Sequence, residues 1–467
     1  MLNSRLKKCI IITQNALAHK PHFWLGFRAM GKGIQNIQFS FSKNNLTHYG
    51  GLFLIYKFCK KLNIKRYLQK YVNFHQRNQE YQTAEFILIL IYIIIAGIGR
   101  IENSKHLGYN GVIKKILGIK KFPHSTAIRR FLYRLTPQAT QQIVKVHNII
   151  QHKIFRMLHT KTSITLDIDG SVLIVFGKQQ GTKVGFAPKR KGARSYMAML
   201  CFESDREFWY GSLESGNTSQ VTVAPQIIKE CLEKLPYPIY RVRIRGDKIF
   251  YSHKFIEDYL EQENIYYTIE SDTEGIGIRS KMAQAEYRHY KGDWEVGEFT
   301  YQPTNWKKSY RFVVQRRPIP EDPDERSQLK LFEMKNYGYR VVVTNIRIKP
   351  RHIWNFHSMR AQGAEQNIKE LKLNYPLAKI PTRSYQANIP YFQILLFAFN
   401  IINWFKWLCL PEKYHYKTLQ TIRERLIVIP AELTKPGNKN RLEFPAAYPY
   451  KELFNQAIKN INKMKQI

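Results

Sequence analysis

Ser163-Ile164-Thr165-Leu166-Asp167-Ile168-Asp169-Gly170-Ser171 is the stretch of sequence that decides the fold. Its apolar residues alternate with polar ones, which is the period of two typical of a half-buried β-strand. In such a strand Asp167 and Asp169 point to the same side, because side chains two residues apart share a face. Gly170 and Ser171 end the run. The stretch therefore predicts a strand with two carboxylates on one face.

Further strands and helices alternate along the chain after this stretch. Residues 240–245 form a second strand-like run that ends just before Asp247, and residues 266–269 form a third. Residues 221–235 and 253–262 have helical periodicity. Strands that alternate with helices are typical of a mixed α/β core. Asp247 is therefore expected at the end of a strand.

A third informative acid lies in residues 360–372, Arg-Ala-Gln-Gly-Ala-Glu-Gln-Asn-Ile-Lys-Glu-Leu-Lys. Good helix formers, the absence of proline and apolar residues at helical spacing predict one helix here. Glu365 and Lys372 are seven residues apart and share a face of that helix. A carboxylate repels phosphate, so its place in a basic protein is explained if a divalent metal ion stands between the two charges. An exposed helix with intrahelical ion pairs is the alternative.

The charge of the chain indicates a polyanionic partner. Of its 467 residues, 74 are Lys or Arg and 35 are Asp or Glu, which gives a formal net charge of +39. Neutralising phosphates releases counterions, which drives binding to nucleic acid. A ribosomal or membrane-surface protein is a weaker interpretation, because the chain is long and shows no basic amphipathic segment.

Cysteine usage and apolar runs indicate where the protein is found. The five cysteines are scattered and never form a CxxC pair, which favours a reducing compartment and argues against a disulfide framework or a zinc site. The longest apolar run, residues 86–98, is too short to span a bilayer. We therefore expect a soluble, cytoplasmic protein without membrane contact.

A short basic unit precedes the predicted core. Pro123 breaks the preceding segment, Ser125 or Thr126 can cap a new helix, and Arg129 and Arg130 line that helix. This arrangement predicts the second helix of a helix-turn-helix, which enters a DNA groove. An ordinary helix with a solvated basic face is the alternative.

Asp169, Asp247 and Glu365 form the candidate catalytic constellation. Carboxylates on two strand ends and a neighbouring helix can converge on one point. Hard Mg²⁺ or Mn²⁺ ions prefer such oxygen ligands. Two ions about 3.5–4 Å apart can activate an attacking oxygen and stabilise the leaving one in phosphodiester chemistry. The placement of the three acids therefore predicts a metal-dependent site for a nucleic acid.

Several ordered blocks of the sequence resemble one protein family. They are residues 166–172 with 176–179, 200–202 with 216–218, 243–247 with 250–252, and 365–372 with 380–382 and 387–388. Together these blocks resemble the DDE transposases of bacterial insertion sequences in the IS4-like superfamily, and within it most closely the IS1380 group.

The resemblance implies an α/β fold: an RNase H-like catalytic core with a β-rich insertion, preceded by an all-α DNA-binding domain. The implied parts are an N-terminal extension (1–40), a helical DNA-binding domain (41–160), the DDE core (161–415) with its insertion (271–340), and a basic C-terminal region (416–467). The implied activity is Mg²⁺-dependent cutting of the element's ends, with Mn²⁺ as a substitute, followed by joining of the 3′-hydroxyl to target DNA.

The resemblance also implies partners and a location. The partners are double-stranded DNA, as terminal inverted repeats and as target, and a second copy of the chain in a homodimer on DNA. The location is the bacterial cytoplasm, in association with the nucleoid. Some relatives pass through a hairpin intermediate.

The family's Tyr-Arg-Glu-Lys signature is matched in part. Glu365 and Lys372 keep its last spacing, whereas His357 stands where tyrosine is expected. Four residues lie between Arg360 and Glu365, whereas the signature has three. On a continuous helix the extra residue rotates Arg360 by about 100° away from the position that the signature gives it. A local bulge in the helix would restore its direction. Arg360, a phosphate clamp in the signature, is thus a DNA-binding candidate together with Lys372. Lys248 follows Asp247 where relatives usually have serine.

Alternatives remain open at individual residues. Either Asp167 or Asp169 could be the first acid of the site. Asp169 is preferred because the family has an acid followed by a small residue and then Ser or Thr. In that case Asp167 supports the site indirectly. Trp294 and Trp306 in the insertion either stack on an extruded base or pack within the domain.

Two other functions are compatible with the sequence. A DNA-binding protein descended from a transposase would have lost catalysis, in line with the departures at Lys248 and Arg360. An RNase H-like nuclease would cut DNA but never join a 3′ end to a target.

Overall fold

The computed structural model of the chain describes residues 40–41, 43–74, 80–109, 111–187, 190–319 and 337–467. From Asn44 to Ile467 the chain forms one compact unit. The predicted extension lies outside the described residues except for Ser40, and so do Cys9 and most of the proline-containing loop of the insertion.

Helices dominate the first part of the chain. They are α1 Leu52–Lys61, α2 Ile64–Tyr71, α3 Thr83–Ile95, α4 Lys105–Gly108, α5 Val112–Ile116, α6 Ser125–Arg134 and α7 Pro137–Leu158. The apolar α3 is buried along nearly its whole length, and Glu85 closes a capping box with Gln82 at its start. The N-cap of α6 is His124, whose ring accepts from the backbone N–H of Thr126. The prediction of Ser125 or Thr126 as the cap was therefore wrong by one or two residues.

Strands and shorter helices follow. The strands are β1 Leu46–Thr47, β2 Ser163–Ile174, β3 Lys183–Val184, β4 Arg194–Glu203, β5 Phe208–Ser215, β6 Arg241–Gly246, β7 Tyr266–Glu270, β8 Arg288–Lys291, β9 Trp294–Tyr301, β10 Tyr310–Pro318, β11 Tyr337–Thr344, β12 Ala431–Thr434 and β13 Arg441–Glu443. The remaining helices are α8 Gln220–Leu232, α9 His253–Phe255, α10 Ile276–Gln284, α11 Pro350–Ser358, α12 Ala364–Leu373, α13 Tyr385–Cys409, α14 Leu419–Ile422 and α15 Lys451–Lys463.

One large mixed sheet organises the middle of the chain. Its order in the described residues is β3-β4-β2-β6-β7-β11-β10-β9-β8, with β5 also paired to β4. The strand β2 pairs antiparallel with β4 and parallel with β6, and β6 pairs parallel with β7. This mixed α/β sheet agrees with the predicted fold class and supports an RNase H-like core.

The insertion extends the same sheet. Its last strand, β11, pairs antiparallel with β7, and β10, β9 and β8 add to it in turn. Because each added strand finds its hydrogen bonds on the edge of the core sheet, the insertion needs no separate scaffold. Trp306 packs against Tyr251 and Tyr310 in the core of this region, whereas Trp294 is half-buried beneath the guanidinium of Arg317.

The helix α13 is the centre of the largest hydrophobic core. By length and composition it is the one described helix that could span a membrane, yet 89% of its most apolar window is buried inside the structure. Residues from α1, α3, α7 and the C-terminal α15 pack into the same core. This apolar helix is therefore a core helix of the fold.

The two ends of the described chain meet. The strand β1 pairs with β12, which pairs with β13, so the mostly helical first region contains one short strand. The helix α15 buries Leu453, Ala457 and Ile461, so it is amphipathic rather than simply polar. The division of the chain at residues 160 and 415 stays a prediction, since the elements on either side share a core.

Candidate active site

The register of two parallel strands brings Asp169 and Asp247 to one level. Asp167 on β2 lies opposite Arg245 on β6. Two residues further along the chain, Asp169 lies on β2 on the same face as Asp167, and Asp247 directly follows β6. Asp247 therefore follows the carboxyl end of its strand, as the sequence predicted. Asp169 instead lies in the middle of β2, which continues through Gly170 and Ser171 to Ile174 because these residues pair with β4, so the predicted end of that strand was wrong.

Glu365 is the second residue of α12, and the helix that carries it starts later than expected. The segment predicted as one helix over 360–372 is instead a 3₁₀ turn, Met359–Ala361, followed by α12. Gly363 stands between them with φ −83° and ψ −99°, outside the helical region. The continuous helix was therefore a wrong prediction, because the chain breaks at Gly363.

This break redirects Arg360 toward the acids. Its Nη2 lies 2.7 Å from Oε1 of Glu365, and its Nη1 lies 3.5 Å from Oδ2 of Asp169. The side chain is buried, and Nη1 has no hydrogen-bond partner among the described residues. The rotation expected for a continuous helix does not occur, since the 3₁₀ turn acts as the local irregularity that restores the direction.

Burial and the neighbouring charges change the pKa values of the acids. Burial raises the pKa of Asp169 to about 7, and the charges of Asp247 and Glu365 add to the increase while Arg360 and the N–H of Gly170 oppose it. Burial also raises the pKa of Asp247, against the opposing effects of Arg360 and of the hydrogen bond from the Ile249 N–H. The charges of the three carboxylates therefore act on one another, in addition to the larger effect of burial.

The donor chemistry of this neighbourhood fits a hard divalent cation. Carboxylate oxygens are the ligands that Mg²⁺ and Mn²⁺ prefer. In the described residues, however, no three His, Cys, Asp or Glu side chains are grouped closely enough to hold a metal ion together. The guanidinium of Arg360 provides the positive charge between two of the acids in this arrangement.

Asp167 pairs with an arginine of the neighbouring strand rather than with the other acids. Its two oxygens accept from Nε and Nη2 of Arg245 at 2.6 and 2.8 Å, and both side chains are fully buried. The remaining Nη1 of Arg245 donates to the carbonyl of Phe356 at 2.7 Å, which ties α11 to the sheet. A bidentate buried pair leaves Asp167 little capacity for a metal ion, so the geometry favours Asp169 as first acid.

Gly363 makes room for this pair. A Cβ at position 363 would lie 2.2 Å from Oδ2 of Asp167, so no side chain fits there without displacing the carboxylate. Sequence reasoning missed both Arg245 and Gly363. The one signal in the sequence was an arginine within the apolar alternation of a predicted strand, and its partner depends on the register of the sheet.

His357 is part of the packing behind the acids. Its Nδ1 lies 3.0 Å from Oγ1 of Thr268, and burial, helped by the nearby Arg360, lowers its pKa to about 3. The ring is therefore neutral at physiological pH. Lys248, beside Asp247, pairs at 3.1 Å with Asp272 on the surface.

The predicted DNA-binding residues lie in three places. Lys372 is exposed in the last turn of α12, the helix of Glu365. Arg130 is exposed on α6, and Arg129 forms an ion pair with Glu102. Arg360 is buried against the acids. Their roles in DNA binding stay predictions.

A family described as "Transposase DDE domain group 1" matches residues 31–466. Among solved structures, a piggyBac transposase synaptic complex with hairpin DNA is 10% identical over 82% of this chain and 82% of that chain, with a TM-score of 0.41. A Mos1 transposase paired-end complex with the left transposon end is 13% identical over 42% of this chain and 60% of that chain, with a TM-score of 0.17. No curated protein matches the sequence.

Proposed function

The chain belongs to the transposase DDE domain group 1 family, and on this premise we propose that it is the transposase of a bacterial insertion sequence of the IS4-like superfamily, IS1380 group. It cuts the ends of its element and joins the freed 3′-hydroxyl to target DNA. The observation that carries the proposal is the arginine shared by two of the acids: Arg360 pairs with Glu365 at 2.7 Å and with Asp169 at 3.5 Å. The charge of Asp247 also raises the pKa of Asp169.

Each acid has a distinct part in the proposed site. Asp169 and Asp247 are held by neighbouring strands, so their spacing is rigid, whereas Glu365 sits at the start of a helix that follows a backbone break. The three would hold Mg²⁺, or Mn²⁺ in its place. When bound, such ions activate the attacking oxygen and stabilise the leaving oxygen of the phosphodiester. Arg360 balances the carboxylate charge while no cation is present.

DNA is the proposed partner of the surrounding surface. The net charge of +39 favours a polyanion. We assign terminal-repeat recognition to α6 with Arg129 and Arg130, and contact with the DNA near the acids to Lys372. Arg360 would reach phosphate only after leaving Glu365. Assembly as a homodimer on paired ends, in the bacterial cytoplasm and near the nucleoid, completes the proposal.

A second candidate is a transposase-derived DNA-binding protein without catalysis. The ion pairs of Arg360 with Glu365 and Asp169 favour it, since they occupy carboxylates that a metal ion would need. The lysine after Asp247 is a further departure from the family's pattern.

Cleavage of the element's own end tests both candidates. The wild-type protein, with Mg²⁺ and a duplex that carries this end, is expected to nick the strand at the boundary. Asp247→Ala and Glu365→Ala should abolish the nick and keep DNA binding, whereas Glu412→Ala, an exposed acid elsewhere, should cut like the wild type. Salt-sensitive binding without a nick in either Mg²⁺ or Mn²⁺ would favour the second candidate.

A further inference from the structure

A wide basic groove lies between the insertion and the start of α11. Its volume is about 1270 Å³, and residues of α10, β8, β9 and the start of α11 line it. Six cationic side chains line it: Lys281, Arg288, Arg311, Arg347, Lys349 and Arg351. The acids in its lining are Glu286 and Glu298. None of the DNA-binding residues proposed above belongs to this groove.

Most of these cations have no ionic partner within the described part of the chain. Lys281, Arg288, Arg347, Lys349 and Arg351 are exposed, and none forms an ion pair with another described residue. Unpaired like charges around one concave surface repel one another and destabilise the folded protein. Solubility alone does not require them to be close together. A groove of this kind therefore favours a polyanion as its occupant.

Arg311, by contrast, holds the groove in shape. It pairs with Glu298, and it donates to the carbonyls of Ile346 and Ile348, the latter at 2.7 Å. These bonds fix the segment that carries Arg347 and Lys349. Arg311 is thus a positioning residue, and it leaves Glu298 with little free charge to repel an anion.

The two walls of the groove are tied together. The hydroxyl of Tyr290 on β8 donates to Oδ1 of Asn355 on α11 at 2.6 Å. Below them a small apolar cluster anchors α11 to the insertion sheet; it contains Val296, Val313, Val342, Ile353 and Trp354. The backbone that carries the cations is therefore fixed before a ligand binds, so the ordering cost is confined to the side chains.

The groove and the acids lie at opposite ends of one helix. Pro350, at the first position of α11, lines the groove, and the turn with Arg360 follows the last residue of this helix. Nine helical residues span about 13 Å. Duplex DNA advances about 3.4 Å per base pair, so this length corresponds to about four base pairs.

We propose that this groove binds the phosphodiester backbone of duplex DNA about four base pairs from the phosphate that meets the acids. The inference rests on the proposed function and adds a DNA contact in the insertion. The contact is electrostatic and independent of base sequence, because the free cations of the lining are matched to the charge of the phosphates. Its strength should therefore fall steeply with salt.

Salt-dependent DNA binding tests the groove. Fluorescence anisotropy would follow a random-sequence duplex, without divalent metal, between about 50 and 200 mM KCl. The triple variant Arg288→Gln, Arg347→Gln, Lys349→Gln should bind at least about fivefold more weakly. The slope of the logarithm of its binding constant against the logarithm of the salt concentration should be smaller in magnitude by up to about 2.7. This corresponds to about 0.9 for each of three phosphates that the protein no longer neutralises. The matched control is Lys451→Gln, Lys459→Gln, Lys463→Gln on α15, which removes the same charge from exposed positions.

The outcomes separate the groove from the proposed function. If the groove variant and the α15 control have equal DNA affinity and equal salt dependence, the groove does not bind DNA. This conclusion would hold even if the protein cuts the ends of its element. A wild-type protein with no salt-sensitive DNA binding would overturn the proposed function itself. Because the altered side chains are exposed and unpaired, unfolding is not expected, and equal thermal midpoints of the two triple variants would verify this.

Discussion

Nη2 of Arg360 lies 2.7 Å from Oε1 of Glu365, so an internal cation already pairs with an acid expected to bind metal. The same guanidinium approaches Asp169 at 3.5 Å. The pairing exists because the helix breaks at Gly363 and the preceding turn points Arg360 inward. If these acids bind a metal ion as proposed, the ion and Arg360 would compete for the same carboxylates.

Replacement of Arg360 tests this competition. Arg360→Gln should strengthen Mn²⁺ binding to the DNA-free protein by about three- to tenfold, because the ion no longer has to displace a guanidinium from a partly buried pair. Isothermal titration calorimetry at constant ionic strength would measure it. Arg130→Gln, on the exposed face of α6, is the control for loss of one positive charge. Mn²⁺ affinity equal to or below that of the wild type would contradict the competition.

Replacement of Asp167 should reduce the stability of the fold, whereas Asp169 is the proposed metal ligand, although the two residues share a strand face. Asp167→Asn leaves Arg245 buried with an uncompensated charge and should destabilise the fold by about 3–5 kcal/mol. Chemical denaturation would measure the loss. Asp258→Asn removes one partner of an exposed ion pair and should have no measurable effect. A stable Asp167→Asn variant that no longer binds Mn²⁺ would instead make Asp167 a metal ligand.

The strand that carries these acids could be predicted from the sequence, whereas the turn that carries Arg360 could not. A period of two is a local property, so residues 163–169 suffice to place Asp167 and Asp169 on one face. The break at Gly363 depends on the carboxylate of Asp167 beneath it, almost two hundred residues earlier in the chain. Local propensity therefore favours a continuous helix and gives the wrong answer.

The same limit applies to the partners of the acids. That Arg245 pairs with Asp167 follows from the parallel register of two strands, which a single sequence does not reveal. The end of a strand before Asp247 was predictable, because the run of alternating residues stops there. The free cations of the groove were visible only as part of the overall charge, since residues 281–352 meet through the sheet.

The space above Asp167 gives a further prediction. Gly363→Ala should destabilise the protein by about 2 kcal/mol or more and disturb the pairing of Arg360, because the new Cβ would lie 2.2 Å from a buried oxygen. Gly275→Ala is the matched control: Gly275 is also the N-cap of a helix, and its Cβ would meet only Ile278 at 3.7 Å. Thermal unfolding of the two variants measures the difference. Equal midpoints would show that α12 can shift to accommodate a methyl group.

Glu207 gives a prediction about pH that does not involve the acids of the site. It is buried beside Trp404, whose Nε1 donates to its Oε1 at 2.6 Å. Burial raises its pKa to about 8, with smaller contributions from Glu203 and Asp205, against the opposing hydrogen bonds from Trp404 and Gln151. In the unfolded chain the same carboxyl titrates near its ordinary value of about 4.3.

Between these two values the folded protein holds a proton that the unfolded chain has released. The contribution of Glu207 to stability is therefore fully present below about pH 4 and is lost as the pH rises toward about 8. Glu207→Gln keeps an oxygen acceptor for Trp404 and carries no charge, so it should remove this loss. Its advantage over the wild type should be on the order of 1–3 kcal/mol near pH 9 and small near pH 5. Chemical denaturation at both pH values measures it, with Glu412→Gln as an exposed control. A constant difference between variant and wild type at both pH values would show that Glu207 ionises in the folded protein as it does in the unfolded chain.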